Sequence, residues 1–274
     1  MSSVLLEAVR PRSYAAFERP ALMRGQNFWV EWVDVPKGGS SIAFQSEFES
    51  LLISAATPLQ LSGEGTLTAV AAHTVSILPA GRHMVAAAEA GSYAFIASQR
   101  GDIAGRTVVN AEAYAEPDPR IVPAGRPFRR REPLRAPQVL EIDAIRAAPD
   151  RPRLKMLQTE TLSINIVEYR GVRDRTALSP HNHAEFEQGS LALAGDFVHH
   201  LRVSWGVNAN LWRDDEHLAA TSPSLLVVPV QLIHTTEGIG DGHHLLIDVF
   251  APPRRDFIGK GWVFNAGDYV ASEA

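Results

Sequence analysis

The pair His181 and His183 stands in the segment SPHNHAEFEQG. Residues two apart on a strand point to the same face, so both imidazoles can reach one metal ion. His234 follows a proline turn at Pro229 and offers a third nitrogen. The strand into which the pair leads offers a fourth donor, Glu187 or Gln188. Any of these histidines alone would be an ordinary packed or surface residue; the combination points to a metal. Three nitrogens and one oxygen suit a single divalent ion, whether zinc, nickel, manganese or iron. The chain has no cysteine, which excludes disulfides, thiolate metal sites and cysteine nucleophiles.

Such a site needs a rigid frame, and the frame reads as β. Long amphipathic helical patterns are scarce. Instead, short apolar runs bounded by turn residues recur: NFWVEWVDV, TVSILPAG, SYAFIAS, LSINIVEYRG, SLLVVPVQLIH and HLLIDVFAPP. That pattern predicts an all-β sandwich or barrel. SILPAGRHMV with SYAFIAS in the first half echoes LLVVPVQLIHTT with HLLIDVF in the second, which suggests a duplicated β domain. Between the halves runs EPDPRIVPAGRPFRRREPLRAP, rich in proline and arginine. It reads as an extended, solvated connector, with Arg126, Arg129, Arg130, Arg131 and Arg135 exposed on it. A short helical turn is predicted over LEIDAIRAAPD at 140–150.

The chain has 274 residues and a net charge of −5. This balance argues against partners held by bulk positive charge, so neither nucleic acid nor an anionic membrane is expected. The first apolar run ends at Glu7 after three residues, too short for a signal peptide, and no run is long enough to span a membrane. A cytoplasmic protein acting on a small molecule is the expectation.

The metal-ligand pattern resembles the cupin superfamily, whose first motif sets HxH and a later carboxylate or amide between two glycines. Here these are Gly171, His181, His183, Glu187 or Gln188, and Gly195. The second motif, PxGxxH, reads Pro229 to His234, with Gln231 where the glycine stands. The resemblance implies two cupin barrels in tandem, each a double-stranded β-helix or jelly roll. The expected divisions are 20–120, a linker at 121–137, and a metal-binding barrel at 138–264. In the cupin pattern the fourth ligand precedes the closing glycine by seven residues, which favours Gln188 over Glu187. A one-residue slip would turn the side chain to the other face. On that register Gln188, Ser190, Ala192 and Ala194 line the cavity. The first half lacks the ligands: His83 falls one residue short of the position, which Met84 occupies.

The last strand, from Ile247 to Arg254, is similar to the D-x-F-x-P-P-R segment of small cupins that open unsaturated uronates in pectin and alginate breakdown. That resemblance implies Asp248 as a general acid/base, Phe250 as a wall and Arg254 as a carboxylate clamp. The plainer reading pairs Arg254 with Asp256 and packs Phe250 in the core. The segment 198–222 matches nothing in the family and reads as a long loop. Its Trp205 and Trp212 would serve substrate selectivity or the contact of a homodimer. His243 and His244 are expected to be structural or exposed.

A neutral set of three histidines and glutamine leaves a metal its full charge, which favours Lewis-acid work. The expected activity is that of a metal-dependent, non-redox isomerase, lyase or hydrolase acting on a small carboxylated or carbonyl-bearing metabolite. An Fe(II) dioxygenase and a non-catalytic metabolite-binding protein are the alternatives.

Overall fold

The computed structural model describes residues 10–272 except 11, 39–40, 64, 99–102, 104 and 150. The N-terminal apolar run therefore lies outside the described residues, as does the last residue of the 140–150 segment. Among the described residues no helix is long and apolar enough to cross a membrane.

The chain folds into two jelly-roll barrels in tandem. The first has a sheet in the order Gln138–Glu141, Thr74–Leu78, Ser50–Ser54, Gly91–Ser98, Phe28–Val35, Ala21–Arg24. A smaller sheet faces it, in the order Ile42–Ser46, Gly81–Ala87, Leu59–Gly63, Thr66–Val70. The second barrel repeats the large sheet as Ser13–Ala16, Ser224–Val228, Gln188–Ala194, His243–Phe250, Ser163–Arg170, Leu154–Gln158. Its smaller sheet is Glu216–Thr221, Asp196–Arg202, Ile233–Ile239. The two large sheets thus share one strand order, as the internal echo predicts.

The barrels exchange their outermost strands. Ser13–Ala16, at the start of the chain, pairs with Ser224–Val228 in the second barrel. Gln138–Glu141, past the connector, pairs with Thr74–Leu78 in the first. Sheet membership therefore differs from the expected division at both ends. The short helical turn predicted over 140–150 is present as one 3-10 turn, Ile142–Ala144, directly after that strand.

Period two explains how the interior is divided. Phe28, Val30 and Trp32 pack between the barrels with Leu51, Ile53, Ala94 and Ile96, against Ile164, Ile166, Leu225 and Ile247 of the second large sheet. The alternate residues Trp29, Leu52, Tyr93 and Phe95 fill the first barrel with Phe44 and Leu61. Both faces of these strands are buried, which is why they read as unbroken apolar runs. Burying each such large side chain stabilises by about 1.5–3 kcal/mol. The aromatic stack of Phe44 on Phe95, 4.4 Å between centroids, occupies the first barrel's interior. His83 sits there with its Nε2 2.8 Å from the Pro79 carbonyl.

The connector is not a solvated tether. Its Phe128–Arg130 strand pairs with Tyr269–Ala271 near the C-terminus. Arg126 grips Glu160 of the second barrel at 2.6 and 3.1 Å. Arg130 is 9% exposed and reaches Glu49 of the first barrel at 3.3 Å and Asp268 at 3.1 Å. These partners are distant in sequence, and prolines erase the local periodicity, so the segment looks unstructured when read alone. In contrast, the 203–215 loop carries Trp205 at 74% and Val207 at 93% exposure. Limited proteolysis is therefore expected to cut first between 203 and 215. First cleavage between 121 and 137 would contradict this packing.

Candidate functional site

The second barrel keeps the strand order of the first but replaces the apolar inner face with a polar one. Asn165, Asp248 and Ser190 lie directly opposite one another on three adjacent strands. Gln188 follows two residues before Ser190, on the same face. Across the barrel, His181 and His234 form a small bridge by exchanging backbone hydrogen bonds of 3.0 and 2.8 Å. His183 is held by its carbonyl, which accepts from Gln231 N at 2.6 Å.

Gln231 adopts φ +65°, the left-handed conformation that glycine would take freely. The cupin-like turn is thus kept despite the substitution, and Arg120 donates to the Gln231 side chain at 3.4 Å. A left-handed L residue costs about 1–2 kcal/mol. Gln231→Gly is therefore expected to leave metal binding intact, with the relieved strain offset by glycine's greater chain entropy. Gln231→Val should destabilise by a further 1 kcal/mol or about that, because a β-branched residue is a severe outlier there. Thermal unfolding of the two variants checks this; equal stability would contradict it.

The four expected donors converge. Ligand atoms of His181, His183 and His234 lie within 4.8 Å of one another. Gln188 Oε1 is 2.9 Å from His183 Nε2 and 3.2 Å from His234 Nε2. Donors bound to one ion by bonds of about 2.1 Å stand about 3.0–3.4 Å apart, so the spacing fits a metal. The tautomers fit as well. The Nδ1 atoms of His181 and His234 face the carbonyls of Ser179 and Leu232 at 2.8 and 2.9 Å, which leaves their Nε2 lone pairs free. Burial pushes the His183 imidazole down to about 3 and His234 to about 4, so both stay neutral and able to ligate.

Gln188 is oriented from behind. Its Nε2 donates to Asp248 Oδ1 and Ser190 Oγ, both at 2.9 Å, and this turns Oε1 toward the imidazoles. Ser190 Oγ also donates to Asp248 Oδ1 at 2.9 Å. Asp248 Oδ2 has only a long bond, 3.3 Å, from Asn165 Nδ2. Burial raises the Asp248 carboxyl to about 6 against the hydrogen bonds that lower it. Asp248 therefore has a role that the sequence did not disclose, as the group that holds Gln188.

Glu187 turns to the opposite face. Its Oε2 accepts from Gln26 N at 2.6 Å and its Oε1 from the Tyr114 hydroxyl at 2.9 Å, so it ties the site's strand to the first barrel. Burial pushes its carboxyl up. It points away from the three imidazoles and joins the seam instead.

Phe250 forms a wall, edge-on to His183 with centroids 5.4 Å apart. Arg254 is already engaged: it grips Asp256 at 2.8 and 2.7 Å and lies 3.8 Å over the Phe257 ring. Its fork is spent on Asp256, the plainer of the two sequence readings. Of the residues expected to line the cavity, Gln188 does so, whereas Ala192 packs with Phe197, Ala220 and Leu246. A bulge between Ala192 and Ala194 breaks the register beyond it.

The 198–222 segment is a hairpin rather than a loop, because Asp196–Arg202 pairs with Glu216–Thr221. His199 is buried on it, 2.9 Å from Thr236 Oγ1, and Trp205 stacks on Trp212 at the exposed tip. His244 is buried and stacked on Tyr169, while His243 meets Glu168 at 2.8 Å.

A cavity of about 560 Å³ opens onto His181, His234, Gln188, Asp248 and Phe250. Asn165 and the wall residues Arg151, Arg153 and Trp262 were not singled out from sequence. Their signal is the register of neighbouring strands, which a single sequence does not state.

No model of a known protein family matches the chain, and no curated protein matches it. Solved structures do. AerE from Microcystis aeruginosa aligns with a TM-score of 0.56 at 9% identity, over 90% of this chain and 100% of that one. An IolB-like protein from Salmonella typhimurium gives 0.54 at 12% identity, over 94% and 96% of the two chains. Oxalate decarboxylase from Lactobacillus farciminis, in its formate complex, gives 0.53 at 12% identity, over 88% and 86%. At these identities the likeness is one of fold, and the fold is that of the cupin-type proteins, two jelly-roll barrels in tandem.

Proposed function

We propose that the protein is a metal-dependent, non-redox enzyme, an isomerase, lyase or hydrolase, acting on a small carboxylated or carbonyl-bearing metabolite. The sugar-acid class implied by the last-strand resemblance is the first to test. One observation carries the reading: three imidazoles and the Gln188 amide oxygen converge with no carboxylate among the donors, and His181, His234 and Gln188 line a cavity of about 560 Å³. His181, His183, Gln188 and His234 would hold one divalent ion. Such an ion, with only neutral ligands, supplies Lewis-acid polarisation of a bound carbonyl or hydroxyl.

The chain's own residues account for the remaining roles. Asp248 Oδ1 fixes the Gln188 amide, and Asp248 Oδ2, nearly free and on the cavity wall, takes a proton from the substrate and returns it. Phe250 and Phe186 pack around His183 and hold its ring in place. Arg254, locked to Asp256, adds positive potential near the same wall.

The test is turnover by chelator-stripped, metal-restored protein on a panel of sugar acids, 2-oxo acids and unsaturated uronates, in air and under nitrogen. Metal-dependent turnover that is equal with and without oxygen supports the reading. Strict dependence on oxygen would replace it with the dioxygenase alternative.

A further inference from the structure

The same cavity has a strongly cationic wall in a chain of net charge −5. Arg151, Arg153, Arg173 and Arg254 line it against one carboxylate, Asp248. Two of the four are committed: Arg254 to Asp256, and Arg173 to the Ala177 carbonyl at 3.1 Å. Arg151 and Arg153 have no carboxylate partner among the described residues. Each instead lies over an aromatic ring that also lines the cavity, Arg151 5.9 Å from the centroid of Trp262 and Arg153 5.8 Å from that of Tyr169. A ring beneath a guanidinium steadies its plane and leaves its N–H edges free for an oxyanion.

The backbone presents the pair rigidly. Arg151 N donates to Ala148 O at 3.1 Å, Leu154 N to Arg151 O at 2.9 Å and Ala148 N to Leu154 O at 2.8 Å, which closes a tight turn around Pro152. Little is lost, therefore, in ordering these arginines when an anion arrives. Two unpaired cations on one concave wall also focus the field toward the cavity.

We propose that Arg151 and Arg153 form a subsite for a second anionic group, carboxylate or phosphate, so that the substrate carries two acidic functions. One is anchored at the His181, His183 and His234 end, the other at the arginine wall. This rests on the reading of the histidine site as the place where the substrate's first group binds.

The experiment is calorimetric binding to the full, metal-loaded chain. The probes are 2-oxoglutarate, with a second carboxylate, 3-phosphoglycerate, with a phosphate, and pyruvate, with neither. At least one dianion should bind about 10-fold or more tighter than pyruvate. The Arg151→Ala, Arg153→Ala double variant should lose about 10- to 100-fold for that dianion, the worth of one or two charge-assisted hydrogen bonds. Its affinity for pyruvate, metal content and melting temperature should stay unchanged, because both side chains lie outside the core. The dianion that is lost identifies carboxylate or phosphate. Equal affinity for all three probes, or dianion binding insensitive to the double change, would overturn the subsite. Metal content measured on every sample keeps the two ideas apart: a wild-type chain that takes up no metal defeats the metal reading, whereas arginine-insensitive binding defeats the subsite at any metal content.

Discussion

Asp248→Asn is expected to lower turnover by about 100- to 10,000-fold, the usual contribution of a general acid/base, with the metal and the fold retained. Retention follows from the geometry. The introduced amide can turn its oxygen toward Gln188 Nε2 and Ser190 Oγ, which keeps Gln188 oriented. Its nitrogen then faces Asn165 Nδ2, and a flip of the Asn165 amide brings its buried, unpartnered Oδ1 round to accept from it. What the variant loses is an oxygen able to take a proton. Measured kcat alongside metal content decides the matter. Unchanged turnover would refute proton transfer by Asp248. Loss of metal together with activity would assign the carboxylate to holding Gln188 instead.

Gln188→Ala and Glu187→Ala should have opposite signatures, though the residues are neighbours. Gln188 contributes the oxygen 2.9 and 3.2 Å from two imidazoles, and its removal should weaken metal affinity by more than the 10- to 100-fold typical of a supporting residue. Glu187 faces the other barrel, where its removal strands the Tyr114 hydroxyl and the Gln26 N–H. Leaving those donors unpaired should cost about 2 kcal/mol of stability with little change in metal affinity. Metal titration and thermal unfolding of both variants test this directly. The reverse order would mean that the strand register is wrong by one residue.

Much of the site was legible because its signals are local. The spacing of His181 and His183, the proline before His234 and the distance from Gln188 to Gly195 are properties of short segments. Alternation sets Gln188 and Ser190 on one strand face, whereas His181 and His183 lie before that strand and His181 is placed by its isolated bridge to His234. The all-β frame was legible for the same reason. Other features depend on partners far along the chain. Ser13–Ala16 joins the second barrel because it meets a strand some two hundred residues later, and no pattern in SYAA says so. The connector looked solvated because the partners of Arg126 and Arg130, namely Glu160, Glu49 and Asp268, lie outside it. The role of Asp248 behind Gln188 needed the register that sets Ser190 and Asn165 opposite it. For Arg254 the sequence offered two readings, and the pairing with Asp256, two residues away, is the one legible from the local segment alone.

The central claim is that His181, His183, Gln188 and His234 hold one divalent metal ion. It is tested most directly by elemental analysis of the purified full chain beside a His181→Ala, His234→Ala double variant, each reconstituted with the same divalent ions and desalted. The account predicts close to one ion per wild-type chain and essentially none in the double variant, with both proteins folded. Stoichiometric metal retained by the double variant, or none in the wild type after reconstitution, would contradict it.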